Sequence, residues 1–183
     1  SSEDYYCNKI SIEKLKHFVS KEAFNIDGLG KKIIEEFWKL KLIKFPQDIF
    51  KLDYKKIEKL EGWGKLSIKN LQNAINKSKD IVLDKFIYSI GIRHIGQENA
   101  KILAGFFGTI QEFTKLFDLR NRKKILLNLA DLDGIGDTQI QSIDNFFSNE
   151  TNNKIIKNLI KKLNIENYLA QTKDGKFSNK KIM

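Results

Sequence analysis

Four glycines recur along this chain with similar neighbours on both sides, at spacings of 34, 32 and 40 residues. They are Gly30, Gly64, Gly96 and Gly136. Two residues before them stand Gly28, Gly62, His94 and Gly134, so three of the four copies contain a Gly-x-Gly step. A single Gly-x-Gly step has little meaning, but four copies in register indicate an internal repeat.

Apolar residues fill the same positions around each repeated glycine. Four residues before it come Ile26, Leu60, Ile92 and Leu132, and directly before it come Leu29, Trp63, Ile95 and Ile135. Four residues after it come Ile34, Ile68, Ala100 and Ile140, and seven after it come Phe37, Leu71, Leu103 and Ile143. This spacing predicts a short helix, a tight turn and a second helix in every copy.

The predicted turns have the chemistry of an anion site. The two glycines are expected to take positive φ and to let a partner approach the backbone. The first N–H groups of the following helix have no intrahelical acceptor and lie at the positive end of its dipole. A phosphodiester oxygen fits such a site, and Lys31, Lys32 and Lys65 add positive charge. The alternative is a set of ordinary helix C-caps, which need one glycine and not two.

These features predict four helix-hairpin-helix repeats that bind the DNA backbone without reading bases, so that binding depends on salt and not on sequence. Two repeats are expected to pair about a pseudo-two-fold axis, and two such pairs would contact both strands across a minor groove. The candidate DNA-binding residues are Gly28, Gly30, Lys31, Lys32, Gly62, Gly64, Lys65, Ser67, Arg93, His94, Gly96, Gln97, Gly134, Gly136 and Thr138.

Composition supports this interpretation only weakly. The formal net charge is +10, but only three of the 33 basic residues are arginines, as expected from an AT-rich genome. The single cysteine, Cys7, excludes an internal disulfide and fits a reducing compartment. The apolar runs are too short for a membrane span, and no signal peptide is visible. A cytoplasmic, nucleoid-associated monomer without a membrane partner is predicted.

The chain has one proline and little strand-like alternation of apolar and polar residues, which predicts an all-α fold. Ser11 is expected to cap the first helix, leaving residues 1–10 as a short non-helical remnant. Residues 11–80 would form the first pair of repeats and residues 81–168 the second. The tail from Gln171 loses periodicity and is expected to be disordered. Further helices are predicted at 31–42, 53–60, 65–77, 82–90, 97–107, 110–117, 123–129, 137–147 and 154–163.

Two phrases carry a family resemblance. Residues 86–96 read FIYSIGIRHIG, with Ala100 following, which resembles the F-x-x-x-L-G-I-R-x-V-G-x-x-x-A run of bacterial NAD-dependent DNA ligases. Residues 15–20, LKHFVS, followed by residues 25–30, NIDGLG, are similar to a second segment of that family. The resemblance extends from Cys7 to about Asn164, and other helix-hairpin-helix proteins lack both phrases.

The resemblance implies a parent enzyme that seals DNA nicks in replication and repair with NAD and Mg, and that contains a four-cysteine Zn module. Cys7 corresponds to the last zinc ligand, so residues 1–10 would be the remnant of that module. Residues 169–183 would be a linker and the start of a BRCT domain. The nucleotidyltransferase lysine lies elsewhere in such enzymes. This chain, which begins without Met, is therefore expected to be a fragment that has no catalytic residues and binds no cofactor. Its implied partners are nicked double-stranded DNA and the other domains of the same ligase.

Two positions depart from the repeat. His94 replaces the first glycine of the third turn, which predicts a wider turn, with Arg93 and His94 contacting phosphate through their side chains. Asp137 follows the fourth turn where the first two copies have lysine, and a carboxylate is unfavourable beside a phosphate. Asp137 is also a favourable first-turn residue for a helix dipole.

Three other functions use similar repeats. One is a structure-specific repair nuclease, although these usually carry two hairpins per domain. A second is a base-excision glycosylase, which requires a catalytic aspartate after a hairpin in a context that Asp84 and Asp144 lack. The third is a non-catalytic protein-interaction module with degenerate hairpins.

Overall fold

The computed structural model describes the backbone of residues 2–169 and the side chains of residues 8–169. The first half contains α1 (Ser2–Val19), α2 (Lys31–Lys39), a 3₁₀ helix (Pro46–Lys51), α3 (Tyr54–Glu58) and α4 (Lys65–Ser78). Strand β1 (Asp80–Val82) leads into α5 (Leu83–Ser89), α6 (Gln97–Phe107), α7 (Ile110–Phe113) and a second 3₁₀ helix (Thr114–Phe117). α8 (Leu119–Leu129), α9 (Asp137–Phe147), α10 (Glu150–Lys162) and strand β2 (Asn164–Glu166) follow.

The helical fold is confirmed, and two predictions at its N-terminus are wrong. Residues 2–10 are not a non-helical remnant, since α1 begins at Ser2 and runs through them. Ser11 therefore lies inside α1 and does not cap it. No glycine or proline interrupts the chain before Gly28, so nothing in the sequence prevents this helix from starting early.

Two short strands add to the predicted helices. β1 and β2 pair in parallel, with Ile81 opposite Ile165, and so join the start of the second half to its end. Each strand has three residues, which is too short for an alternating pattern to appear in the sequence. No helix among residues 2–169 is long and apolar enough to cross a membrane. The predictions for residues 170–183 lie outside the described residues.

The apolar columns of the repeats form one continuous core. Most of their members are buried, including Phe37, Leu71, Leu103 and Ile143 at the position seven residues after the glycine. The remaining members, among them Leu60 and Leu132, are partly buried against the same cluster. Each hairpin is thus held at both ends, because its flanking helices share this core.

Helix α1 connects the two halves. Its Lys16 forms an ion pair with Glu35 of α2, and this hydrogen-bonded contact raises the pKa of Lys16 and lowers that of Glu35. On the other side, His17 Nε2 lies 2.7 Å from the carbonyl oxygen of Tyr88 in α5, so this nitrogen donates its proton there. His17 therefore has a structural role between the halves.

A buried arginine holds the helices around the fourth repeat together. Arg122 of α8 is only 5% exposed. Its Nε donates to Asp144 of α9 at 2.9 Å, and its Nη1 donates to the carbonyl oxygens of Leu116 and Phe147 at 2.9 and 3.4 Å. The guanidinium thereby fixes α8 against α9, the two helices that flank the fourth hairpin.

Replacing Arg122 with methionine keeps an apolar stem but leaves the Leu116 carbonyl without its donor. We expect the Arg122→Met variant to lose about 2–3 kcal/mol of unfolding free energy, measured by urea denaturation. The control is Arg120→Met, an exposed arginine of the same helix, which should change stability by less than about 0.5 kcal/mol. Similar losses in both variants would contradict the role assigned to Arg122.

Candidate nucleic-acid interface

All four predicted turns adopt the same backbone. We name them the first (residues 26–30), second (60–64), third (92–96) and fourth (132–136) hairpin. In each, the residue before the second glycine donates its N–H to the carbonyl three residues earlier, at 3.2, 3.2, 3.1 and 3.3 Å. Two residues lie between these partners, and the second of them has positive φ: Gly28 at 90°, Gly62 at 87°, His94 at 66° and Gly134 at 89°. The repeat seen in the sequence is therefore a structural repeat.

The prediction of a wider third turn is wrong. His94 occupies the left-handed region and the hydrogen bond from Ile95 N–H to the Ile92 carbonyl is retained at 3.1 Å. Histidine is among the non-glycine residues that adopt this conformation more readily than most. Its side chain is also anchored, since Nδ1 lies 3.0 Å from the Ser142 hydroxyl of α9.

The expectation of positive φ at the second glycine is wrong as well. Gly30, Gly64, Gly96 and Gly136 are extended N-cap residues with φ of −79°, −125°, −86° and −107°. Any residue can adopt these angles. The conformational demand for glycine lies only at the first position of each hairpin.

At Gly30 and Gly64, neither the backbone angles nor the packing of the chain requires glycine. A Cβ atom added to either would meet no heavy atom within 4 Å, other than the neighbouring residues. Both residues are exposed. Neither the backbone angles nor packing excludes a side chain here. Glycine is a tolerated N-cap, and at these exposed N-caps it also lets something outside the chain approach the backbone closely.

The helix N-termini present amide groups beside these glycines. The first helical hydrogen bond of α4 runs from Ile68 N–H to the Gly64 carbonyl at 3.0 Å, so the amides of Lys65, Leu66 and Ser67 precede the helical ladder. The equivalent bond of α2 runs from Ile34 to Gly30, also at 3.0 Å. These amides and the helix dipole suit an anion.

Three of the four repeats have a capping side chain three positions after the second glycine, which the repeat pattern did not predict; the first repeat has Ile33 there. Ser67 Oγ accepts the Gly64 N–H at 2.8 Å and lies 3.0 Å from the Gly64 carbonyl, so this candidate DNA contact is engaged within its own hairpin. Asn99 and Gln139 accept the N–H groups of Gly96 and Gly136 at 3.2 and 2.9 Å. Half of a capping-box pattern, a polar side chain at the third helical position, was the available signal.

The third and fourth hairpins contact each other's second helices reciprocally. Asn99 of α6 donates to the Gly134 carbonyl at 2.9 Å, and a Cβ on Gly134 would lie 2.5 Å from Ile102 Cδ1. In return His94 bonds Ser142 of α9. Ile102 and Ser142 both stand six residues after their repeat's second glycine, so the contact has pseudo-two-fold symmetry.

The first and second hairpins are paired in a similar but looser way. A Cβ on Gly28 would lie 3.6 Å from Leu71 Cδ1 of α4. In return Trp63 packs on Phe37 of α2, with ring centroids 5.8 Å apart. A Cβ on Gly62 would meet nothing within 4 Å, so the second hairpin keeps both glycines open to solvent.

The balance of charge differs between the first two hairpins and the fourth, although the first two each contain one exposed carboxylate, on Asp27 and Glu61. Lys31, Lys32 and Lys65 are exposed at the helix starts beside the first and second hairpins. Arg93 and Gln97 are exposed at the third. The fourth hairpin has exposed Thr138, but also three exposed carboxylates, on Asp131, Asp133 and Asp137.

The side chain of Cys7, the predicted zinc ligand, lies outside the described residues. Among the described side chains, no group of three or more His, Cys, Asp or Glu residues is placed to hold a metal ion. Asp144, weighed above as a glycosylase aspartate, accepts a hydrogen bond from Arg122 in the packing between α8 and α9.

Comparison with known proteins agrees with this geometry. Residues 85–156 match the family model of the helix-hairpin-helix motif. The chain is 54% identical over all its 183 residues to the DNA ligase of Pelagibacter ubique (strain HTCC1062), of which it covers 26%. It is 42% identical to the DNA ligase of Rickettsia bellii (strain OSU 85-389) and 40% identical to that of Rickettsia rickettsii (strain Sheila Smith). In both cases 97% of the chain aligns, with 27% of the relative.

The four hairpins thus have the geometry of helix-hairpin-helix units, and the family model matches those of residues 85–156. Along its whole length this protein is similar to a segment of DNA ligases, and it spans about a quarter of the length of the relatives it matches. The resemblance to DNA ligases that the sequence motifs indicate is therefore confirmed as similarity to one segment of these proteins.

Serine substitutions separate the two glycine positions of the second hairpin, because a Cβ finds open space at both. We expect Gly62→Ser to lose about 1 kcal/mol of unfolding free energy, since serine is forced into the left-handed region. Gly64→Ser should change it by only a few tenths, since serine is a good N-cap. Urea denaturation of both variants checks this. Equal losses would contradict the assignment of the conformational demand to Gly62 alone.

Proposed function

We propose that this chain binds the sugar–phosphate backbone of double-stranded DNA through the N-terminal amides of its hairpin helices. Support comes first from the unexplained openness of Gly30 and Gly64, where neither φ nor packing requires glycine. The exposed Lys31, Lys32 and Lys65 add charge at the same points. A phosphate oxygen at each site would accept from backbone amides and would be recognised without regard to the base.

The four hairpins contribute unequally in this proposal. The first and second hairpins contribute most of the binding free energy, because each combines an open second glycine, Gly30 or Gly64, with neighbouring lysine. The third contributes through Arg93 and Gln97, with His94 already bonded to Ser142 through Nδ1. The fourth contributes least, since Asp131, Asp133 and Asp137 raise the cost of bringing a phosphate close. Gly134 there serves the contact with Ile102.

We further propose that the chain acts within a longer NAD-dependent DNA ligase and holds nicked duplex DNA for the catalytic domain. Support comes from identity along the whole chain to proteins named DNA ligase. NAD, Mg and Zn would serve that longer enzyme, and no chemical step is assigned to residues of this chain. One cysteine cannot build a tetrahedral zinc site, so Cys7 would need ligands from outside the chain.

The proposal is tested by fluorescence anisotropy with a nicked and an intact duplex over a salt series. The logarithm of the association constant should fall linearly with the logarithm of salt concentration, and several unrelated sequences should bind alike. Binding that does not weaken with salt would contradict phosphate recognition.

Replacing Gly64 of the second hairpin with asparagine tests the proposed phosphate site most directly. In Gly64→Asn the new side chain is a favourable N-cap, so thermal stability should be retained, but its oxygen would accept from the amides proposed for the phosphate. We expect an affinity loss of about tenfold on every sequence. Gly136→Asn, at the same position of the acidic fourth hairpin, is the control and should lose less than about twofold. Equal losses would contradict the unequal contribution of the hairpins.

A further inference from the structure

Leu66 is a large apolar side chain that the protein leaves 72% exposed. It is the second residue of α4 and stands two positions after Gly64. At the same position, the other repeats carry the polar residues Lys32, Glu98 and Thr138. The second hairpin, which has the most open glycines, is therefore also the hairpin whose following helix has an apolar residue at its second position.

The core of the protein does not use Leu66. The buried stripe of α4 consists of Ile68, Leu71, Ile75 and Ser78. Leu66 lies about 200° from Ile68 around the helix, given 100° per residue, and so on the opposite side. Its neighbours one turn later, Lys69 and Asn70, are exposed. Removing the side chain should therefore leave the fold unchanged.

The surroundings of Leu66 are cationic and polar. Lys65 and Lys69 flank Leu66 on α4, which has no acidic residue, and the preceding hairpin contributes one exposed carboxylate, on Glu61. An apolar residue among lysines and amides is unlike the contiguous apolar patch that a protein partner usually requires. It fits a polyanion whose charged groups alternate with apolar surface, which is the pattern of a nucleic-acid backbone.

The direction of the side chain brings it to the proposed phosphate site. Cα–Cβ bonds in a helix tilt towards its N-terminus, so a residue in the first turn extends towards the end where the free amides lie. A phosphate held by the amides of Lys65 and Ser67 would place an adjoining sugar beside Leu66. The C–H faces of the sugars are the apolar part of the groove wall. Proteins that bind the minor groove often use apolar side chains, commonly as wedges between base steps.

We propose that Leu66 packs on deoxyribose in the minor groove of the duplex held by the second hairpin. This non-ionic contact adds affinity without reading the sequence. The proposal rests on the proposed function, because the phosphate site fixes where the sugar lies. It adds a residue type, an exposed leucine, that neither the charge nor the glycine pattern of the repeats would identify.

Two substitutions of Leu66 by side chains of similar length, one polar and one apolar, test the apolar contact in the complete 183-residue chain. Leu66→Gln should weaken binding to a nicked duplex about fivefold, whereas Leu66→Met should stay within about twofold of the original chain. Because no ion is released, the salt dependence should keep its slope in both variants. In Lys65→Met, by contrast, the slope should become smaller by about 0.9.

Leu127 of α8 provides the matched control, since it is 74% exposed and lies near the acidic fourth hairpin. Leu127→Gln should bind as the original chain does. Unchanged affinity in Leu66→Gln, equal losses in both glutamine variants, or a changed salt slope in Leu66→Gln would each overturn the role of Leu66. If the original chain itself shows no salt-dependent binding, the proposed function fails instead.

Discussion

One backbone constraint recurs throughout the molecule: a residue held in the left-handed region three positions before a helix begins. With its hydrogen bond across the turn, it reverses the chain in five residues and aims the next helix N-terminus outwards. Three glycines and His94 satisfy this constraint with φ between 66° and 90°. The flanking helices, the shared core and the exposed amides all depend on it.

The four turns have the same backbone but different surroundings. In the second pair, hydrogen bonds from Asn99 and His94 tie each hairpin to the other's helix, and acidic side chains surround the fourth hairpin. In the first pair, the contacts are apolar and the glycine surfaces stay open. The chain thus joins a half whose hairpins are tied by hydrogen bonds to a half whose helix N-terminal amides are accessible.

The repeat, the core columns and the turn positions were predictable because each is periodic and strongly biased in residue type. The roles of the two glycines were not separable in the sequence, since an open N-cap and a left-handed turn both favour glycine. The burial of Arg122 was not predictable, because the carbonyls that bind it belong to Leu116 and Phe147, on other elements. Strands β1 and β2 owe their pairing to tertiary contact across 84 residues, which no local pattern reveals.

Backbone amides are the proposed contact, so the most direct measurement observes them. In ¹H–¹⁵N correlation spectra of the labelled chain titrated with a nicked duplex, the largest amide shifts should occur at Lys31, Lys32, Lys65 and Leu66. The amides of Asp137 and Thr138, at the same positions of the fourth repeat, should shift least. If the shifts are instead spread over the amides of exposed lysines elsewhere in the chain, and the Lys65 and Leu66 amides do not shift, backbone recognition by the hairpins is contradicted.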